Sequence, residues 1–326
     1  MGLVYSESLD PGDWERRHAR GEVPGRWPYS ADLLAEAGLN PILVSAGEGV
    51  RVDVNLGFDE RAARRMRSFG VPSVTGVIWA VDDHLASGGG LRDRLRRGAI
   101  AQALRRMDRL TTYSEPVADL LPRLLRIPAE SVGFVPLGID TTFFPSVDYG
   151  AADPDLVLSV GNDRARDTSG LYEAFAIVRA RRPQTSFLVQ TSDKTPAPSW
   201  VTKVHRFKDH AELRSMYARA AVTAIASRAN HYTSGSTVAL EVQSVGRPIV
   251  ISHTPGMETY VKHEESGVLV PPHNPQQMAE AILSVLSDSA GGASLGKHGS
   301  TRVSRDHSAI AMTSRLALTL RSALSR

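Results

Sequence analysis

The sequence predicts an α/β protein made of two doubly wound, parallel β-sheet domains. Short apolar runs alternate with amphipathic stretches of helical period, which is typical of sheets built from βα repeats. This alternation occurs twice, and a polar, turn-rich segment at residues 145–154 separates the two series. A chain of 326 residues has room for two domains of ordinary size. We therefore predict domains at residues 1–146 and 147–308 that face a cleft, followed by a terminal helix at 309–326 that can pack back on the first domain.

Each half of the chain has its own set of predicted elements. In the first half the strands lie at residues 2–5, 41–45, 52–55, 73–78, 109–113 and 132–136, and the helices at 29–37, 60–68 and 92–107. In the second half the strands lie at 156–160, 186–190, 203–206, 221–226, 248–252 and 267–270, and the helices at 170–181, 211–219, 237–245, 275–287 and 309–324. In the helix at 92–107, apolar residues that include Leu95, Ile100 and Leu104 recur at helical spacing, which predicts one apolar face.

The composition excludes several classes of protein. Hydrophobic residues make up 42% and charged residues 22% of the chain, as in an ordinary globular protein. The absence of cysteine excludes disulfides and thiolate metal sites. We find neither a signal peptide at the N-terminus nor an apolar run near the roughly 18 residues that a membrane span needs. The net charge of +3 does not indicate nucleic-acid binding. A cytoplasmic protein is therefore expected.

A phosphate-binding helix start is the strongest local signal. Ser234, Gly235 and Ser236 directly precede a predicted helix, where a glycine lets a ligand approach and the first-turn N–H groups can hold a phosphate. Thr237 and Glu241 follow four residues apart on one face of that helix, and the carboxylate can accept hydrogen bonds from ribose hydroxyls. The alternative is an ordinary helix capped by serine or threonine.

Residues 227–288 resemble the C-terminal signature of the family 4 glycosyltransferases, which are retaining enzymes with two Rossmann-like domains, the GT-B fold. The matching positions are Glu241, Gly246, Pro248, Gly256, Glu258, Gly267, Leu269, Val270, Pro271, Pro272 and Pro275. Residues 136–144 resemble the family's Pro-Asn-Gly-Ile-Asp-x-x-x-Phe element, and the similarity extends in order over residues 100–326. The resemblance implies a UDP- or GDP-sugar donor, a metal-independent transfer to an acceptor hydroxyl, and no cofactor besides the donor.

The chain departs from the family at the sugar contact. The first Glu of the family's Glu-x7-Glu element contacts the donor sugar, and its place here is taken by Thr233, eight residues before Glu241. Threonine can donate a hydrogen bond but carries no charge. The resemblance therefore implies an altered sugar contact and predicts that Thr233 still faces the donor.

A second departure lies in the loop that the resemblance assigns to the donor phosphates. The loop begins with Gly161 and Asn162 but lacks the family's usual Gly-Arg and Lys-Gly pairs. We predict that Arg164 and Arg166 replace those cations, because arginine can hold a diphosphate with two parallel hydrogen bonds. The alternative is a solvated charged loop, in which the neighbouring aspartates simply pair with the arginines.

The resemblance also places the nucleobase near His205 and Phe207, where main-chain groups usually contact the base. In the first half, Asp83 and His84 follow a predicted strand and are candidates for contacts with acceptor or sugar. A helix cap and a surface histidine are the alternatives for these two residues. The three glycines at 88–90 indicate either a mobile loop or a passive connection.

The segment from Arg92 to Arg109 is strongly basic. It has seven arginines against two aspartates, so it could lie on an anionic membrane as a peripheral contact or bind an anionic acceptor. A solvated helix face is the alternative. No aromatic residue interleaves with these arginines, which argues against a stacking surface for single-stranded nucleic acid.

Three functions remain open on the sequence. The leading hypothesis is a retaining, metal-independent glycosyltransferase that uses a nucleotide-sugar. The others are a nucleotide-sugar-binding protein or partner subunit without catalysis, motivated by Thr233, and a glycosyltransferase acting on modified nucleic acid. The sugar, the base, the acceptor and the oligomeric state are not encoded in any feature that we can interpret.

Overall fold

The computed structural model describes residues 1–5, 10–44, 51–66, 70–86, 88 and 90–325. The chain forms two compact units. The first unit consists of Met1–Arg16, Gly25–Leu137 and Ala309–Arg326, and the second of Arg17–Pro24 and Gly138–Ser308. Residue 45 of a predicted strand, residues 67–68 of a predicted helix and Gly89 of the predicted glycine loop lie outside the described residues.

The first unit contains a six-stranded parallel sheet. Its strands are β1 Gly2–Val4, β2 Ile42–Leu43, β3 Asn55–Gly57, β4 Ser73–Val77, β5 Arg109–Thr112 and β6 Val132–Phe134. In space they follow the order β2-β1-β3-β4-β5-β6, and every pairing is parallel. This order is one of the two common doubly wound arrangements, with its switch point between β1 and β3.

The helices of the first unit surround this sheet. They are α1 Pro11–Ala19 (assigned to this unit up to Arg16), α2 Glu60–Met66, α3 Ala80–Leu85, α4 Leu91–Leu104, α5 Glu115–Leu125 and the terminal α11 Ala309–Leu324. The terminal helix packs within the first unit against the 3-10 segment Pro28–Ala35, and Arg321 donates to the carbonyl of Ala37. The described helices include none that is long and apolar enough to cross a membrane.

The second unit contains a second six-stranded parallel sheet. Its strands are β7 Asp153–Val160, β8 Ser186–Gln190, β9 Val201–Val204, β10 Ala220–Ile225, β11 Ile249–Ser252 and β12 Val268–Val270. The spatial order is β9-β8-β7-β10-β11-β12, the order of dinucleotide-binding folds. The chain therefore changes direction across the sheet between β7 and β10, and ligands of such sheets bind at the carboxyl ends of the two strands that flank this point.

Five helices complete the second unit: α6 Thr168–Arg181, α7 His210–Arg219, α8 Ser236–Ser244, α9 Pro275–Ser287 and α10 Ser289–Asp306. Four of them begin at an aspartate or asparagine whose side chain accepts a first-turn N–H, namely Asp167, Asp209, Asn274 and Asp288. Helix α8 begins instead at Gly235 and has no side-chain cap. The N–H of Ser236 donates to the carbonyl of Thr233 at 3.0 Å, so a ligand can approach the first turn through the N–H groups that follow Ser236.

The second unit begins earlier than the sequence predicted. The chain enters it at Gly138 rather than at residue 147. Ile139 donates its N–H to the carbonyl of His307 at 2.9 Å, and the Phe144 ring packs near Tyr217 with centroids 6.3 Å apart. These contacts tie residues 138–146 to the second unit, so the polar segment after them is not the boundary.

Helix α10 was not predicted, because its four glycines are typical of a loop. The glycines allow close packing. A Cβ on Gly296 would lie 2.1 Å from the carbonyl oxygen of Gly246, and one on Gly299 would lie 3.0 Å from the side chain of Gln243. Helices α1, α3 and α5 were missed as well, and the strand predicted at 52–55 lies at Asn55–Gly57.

We expect Gly296→Ala to lower the free energy of unfolding by about 1–3 kcal/mol, because the new methyl group cannot fit against the Gly246 carbonyl. Gly98→Ala adds the same methyl group to α4 at a site with nothing within 4 Å, and it should be stabilising by up to about 1 kcal/mol. Thermal unfolding of both variants tests the close packing of α10, and a loss of stability shared by both would contradict it.

Candidate functional site

Two loops meet at the carboxyl ends of β7 and β10. The β7 loop (residues 161–167) and the β10 segment (residues 226–235) are joined through the backbone. Asp167 donates its N–H to Ala226 at 3.0 Å, and Arg228 donates its N–H to Ala165 at 2.7 Å. Between these bonds, Arg166 and Ser227 form an antiparallel bridge. The bridge fixes Arg166 at the switch point of the sheet, where the fold favours a ligand.

The guanidinium of Arg166 is held from several sides. It donates to the hydroxyls of Ser227 at 3.2 Å and Ser234 at 3.3 Å, and to the carbonyl of Val160 at 3.4 Å. Its Nε is buried and has no hydrogen-bond partner among the described residues. Burial lowers the pKa of Arg166, while the nearby Asp163 opposes that shift. Arginine nevertheless stays protonated, so a fixed positive charge lies at this position.

Two glycines make room for Arg166. Gly161 and Gly235 have φ angles of 137° and 102°, which side chains rarely adopt. A Cβ on Gly161 would lie 2.5 Å from Nη2 of Arg166, and a Cβ on Gly235 would lie 2.9 Å from Nη1. Any larger residue at either position would therefore displace the guanidinium.

Asp163 connects the β7 loop to the β10 segment. Its Oδ1 accepts from the hydroxyls of Ser234 at 2.7 Å and Tyr232 at 2.8 Å, and from the N–H of Ala165 at 2.8 Å. Burial disfavours the charged carboxylate, but these hydrogen bonds outweigh it, so the pKa of Asp163 lies below its ordinary value. The aspartate thus does more than neutralise an arginine, because it orders the residues that contact Arg166.

The two predicted cations lie in different environments. Arg164 is exposed, and its guanidinium lies over the Tyr232 ring, 5.6 Å from the centroid. Its carbonyl accepts from Arg228 at 2.7 Å. Arg166 is rigidly placed beside the start of α8, whereas the side chain of Arg164 lies on the surface of the loop.

The residues that lead into α8 are mostly buried. Thr233 is 1% exposed, has a φ of 52°, and donates its hydroxyl to the carbonyl of Tyr232 at 2.7 Å. The hydroxyl that the resemblance assigned to a sugar is thus used within the turn. Ser236 is buried at the first position of the helix, and Thr237 is exposed.

Glu241 lies one turn into α8 and is almost completely buried. Tyr217, on α7, donates its hydroxyl to Oε2 of Glu241 at 2.8 Å. Burial raises the pKa of Glu241 to about 7, although the Tyr217 hydrogen bond acts in the opposite direction. The charge of Arg166 also acts on Tyr217. Glu241 can therefore change its protonation state near neutral pH, and binding a hydroxyl donor would favour the ionised form.

The residues predicted for the nucleobase lie near the ends of β8 and β9. Gln190 donates to the carbonyl of His205 at 2.8 Å, and the His205 ring is exposed while Phe207 is half-buried. The side chain of Asn162 accepts from the N–H of Ser192 at 2.5 Å. A small cavity opens at the same edge, and its lining includes Gly161, Arg166, Thr168, Gln190, Thr191 and Ala226.

The candidates in the first unit, Asp83 and His84, lie within α3. His84 bonds the carbonyl of Ala80 through Nδ1 at 3.0 Å, and Asp83 lies 3.9 Å from Arg96. The turn before them is held by the buried Glu60, which accepts from the N–H groups of Ile78 and Trp79. The roles of Asp83 and His84 stay predictions. Within the described ranges, no group of three or more His, Asp or Glu side chains is placed to hold a metal ion.

Sequence reasoning did not select Tyr217, Tyr232 or Ser227 for this site. Ser227 and Tyr232 lie between a buried strand and a glycine-marked helix start, which was a usable signal. Tyr217 reaches the site only because α7 packs beside α8, and no spacing along the sequence encodes that contact.

Glu241 should give folding a pH dependence. In the folded chain the pKa of Glu241 is about 7, against an ordinary value of 4.5, so the folded chain holds this proton to a higher pH than the unfolded chain does. The proton on Glu241 stabilises the fold fully at pH values below the lower of these two pKa values. This stabilisation, up to about 3 kcal/mol in all, is lost as the pH rises through the higher pKa. The unfolding free energy of Glu241→Gln, relative to wild type, should therefore rise between about pH 4.5 and pH 7 and be constant above that. Glu280→Gln on the surface of α9 is the control, and a difference independent of pH would contradict the assignment.

The site lies within a region of recognisable sequence. Residues 154–288 match the sequence model of a family described as glycosyl transferases group 1. The D-inositol 3-phosphate glycosyltransferase of Saccharomonospora viridis is 28% identical over 229 residues, which are 62% of this chain and 52% of that protein. The glycogen synthase of Mycobacterium tuberculosis is 27% identical over 201 residues, 57% of this chain and 47% of that protein. The chain thus spans about half the length of the curated relatives that it matches.

Solved structures share the fold over nearly the whole chain. Anabaena Alr3699/HepE, in complex with UDP-glucose, has a TM-score of 0.69 at 14% identity and covers 99% of this chain and 100% of that one. Sucrose-phosphate synthase from Thermosynechococcus elongatus has a TM-score of 0.69 at 22% identity and covers 87% and 83%. These likenesses confirm the predicted GT-B fold class, while family 4 membership stays a prediction. Residues 154–288, which match the model of the group 1 glycosyl transferases, contain the second-unit site described above.

Proposed function

We propose that the protein is a retaining glycosyltransferase that uses a nucleotide-sugar donor without a metal ion. The observation that carries the proposal is the half-buried guanidinium of Arg166 at the switch point, beside the uncapped first turn of α8. A diphosphate matches this arrangement, because the fixed cation and the helix N–H groups both favour a compact anion. The matched family domain and the curated relatives, which are named as glycosyltransferases, support the reaction class.

The proposed step transfers the sugar between two oxygens. The bond between the anomeric carbon and the β-phosphate oxygen breaks, and a new bond forms to the oxygen of the acceptor hydroxyl, whose proton passes to the departing phosphate or to solvent. Negative charge grows on the departing nucleoside diphosphate. Arg166 and the N–H of Thr237 in the first turn of α8 would stabilise that charge more strongly in the transition state than in the bound donor. Retention and metal independence rest on the resemblance to family 4.

Glu241 would bind the ribose of the donor. Ribose hydroxyls donate hydrogen bonds, so the ionised carboxylate is the form that they favour. Since the pKa of Glu241 in the free protein is about 7, nucleotide affinity should increase as the pH rises through neutrality. The base would lie near His205 and Phe207. UDP compounds are the first to test, because Alr3699/HepE, which shares the fold, has been crystallised with UDP and with UDP-glucose.

A donor-binding protein without catalysis is the second candidate. It is favoured by one observation, namely that Thr233 is buried and bonded to the backbone where the family has a sugar-binding glutamate. Release of nucleoside diphosphate from a panel of nucleotide-sugars, with and without hydroxyl acceptors, separates the two functions. Binding without any transfer or hydrolysis would leave only the second candidate. An anionic acceptor, including modified nucleic acid, remains open for the enzyme.

Arg166→Lys should weaken the binding of a nucleoside diphosphate about tenfold or more, because lysine cannot reproduce the hydrogen bonds of the guanidinium. Binding of the free nucleoside should change little, and calorimetry with UDP and uridine measures both. Arg164→Lys is the matched variant and should have the smaller effect on UDP, since that side chain is exposed. Equal losses for UDP and uridine would show that Arg166 only supports the fold.

Glu241→Gln should weaken nucleotide binding about tenfold at pH 8 and should remove most of the pH dependence that wild type shows between about pH 6 and pH 8. A thermal-shift series with UDP, GDP and their sugars gives the donor, because a ligand that binds only the folded state raises the melting temperature. Unchanged affinity in this variant would contradict the ribose contact, and Glu280→Gln serves as the surface control.

A further inference from the structure

Helix α4 presents an apolar stripe to the solvent. Leu91 and Leu95, in its first half, are 74% and 64% exposed. The sequence predicted one apolar face of this helix that includes Leu95, and the structure shows that only part of that face is buried. Burial begins only at Ile100, and the residues that pack into the first unit are Ile100, Ala101, Ala103 and Leu104.

Arginines surround these leucines. At 100° per residue, Leu91 and Leu95 lie on one face of α4, with Arg92 on one side of it and Arg94 on the other. Both arginines are exposed, and Arg106, just after the helix, is exposed as well. Two further arginines are bound within the unit, because Arg96 lies 3.9 Å from Asp83 and Arg97 donates to the carbonyl of Asp83 at 3.1 Å.

This combination distinguishes between possible partners. A polyanion that is bound only through its phosphates gains nothing from exposed leucines, and the segment from Arg92 to Arg109 has no aromatic residue to stack on bases. An anionic bilayer uses both features, because leucine side chains enter the boundary between headgroups and acyl chains while arginines remain at the charged surface. None of the described helices can span a membrane, so the contact would be peripheral.

We propose that Leu91 and Leu95, together with Arg92 and Arg94, form a surface that docks the protein on an anionic lipid bilayer. The two exposed arginines provide the charge complementarity, and the leucines provide an apolar contact that a soluble anion would not need. The proposal concerns the first unit alone and does not depend on the proposed transferase activity.

Co-sedimentation of the full chain with vesicles tests this surface. Wild type should bind vesicles of phosphatidylcholine with phosphatidylglycerol, should bind phosphatidylcholine vesicles about tenfold less, and should be released by salt. The double variants Leu91→Ser/Leu95→Ser and Arg92→Gln/Arg94→Gln should each lower the partition coefficient at least about tenfold. Melting temperatures and donor binding should match wild type, because all four side chains are exposed.

Matched controls remove equivalent side chains elsewhere in the first unit. Leu318→Ser changes another leucine that is 66% exposed, and Arg64→Gln/Arg123→Gln removes two other exposed arginines. These controls should bind vesicles like wild type. The proposal is overturned if wild type does not bind anionic vesicles, or if test and control variants lose binding equally. It is also overturned if light scattering shows a dimer that Leu91→Ser/Leu95→Ser dissociates, or if short RNA displaces the protein from vesicles through the same residues.

Discussion

The guanidinium of Arg166 is the constraint around which the site in the second unit is arranged. A buried cation is costly unless its surroundings supply acceptors and an opposite charge. Serine hydroxyls, a strand-end carbonyl and Asp163 supply them here. Glycine at 161 and 235 follows from the same constraint, since a side chain at either position would occupy the volume of the guanidinium.

The site contains a second ionisable group, Glu241, whose charge depends on pH near neutrality, unlike the charge of Arg166. Arg166 stays charged at any ordinary pH, whereas burial brings the pKa of Glu241 to about 7. A ligand that joins a permanent anion to neutral hydroxyl donors suits this pair. A nucleoside diphosphate has that structure, because its phosphates would bind Arg166 and its ribose hydroxyls would bind Glu241. Tyr217 links the two groups, because its hydroxyl bonds Glu241 and its ring lies within the field of Arg166.

Most of the strands could be predicted from the sequence, but only some of the residues of the site. Apolar runs located the strands within a few residues, because a parallel strand buried on both faces must be continuously apolar. Helix α10 could not be predicted from the sequence, because glycine has a low helix propensity. Its glycines are there for close packing against Gly246 and Gln243. Helical periodicity also grouped the exposed Leu95 with the buried Ile100 and Leu104, because period alone gives the spacing of apolar residues and not whether a neighbour covers them. Thr233 aligned with a sugar-binding position, yet its hydroxyl bonds the backbone.

A second arginine, which is buried completely, supports the anion-binding role that we propose for Arg166. Arg247 is completely buried, and its guanidinium donates to the carbonyls of Val147, Asp148 and Ala218 while lying over the ring of Tyr149. Its Nε also has a partner, the carbonyl of Ala218. That is the pattern of an arginine that only holds a fold together, with its donors paired by the backbone. Arg166, in contrast, keeps a buried Nε without a partner beside an uncapped helix. Since an unpaired buried donor costs free energy, its retention next to open N–H groups is better explained by an anion that binds there than by packing.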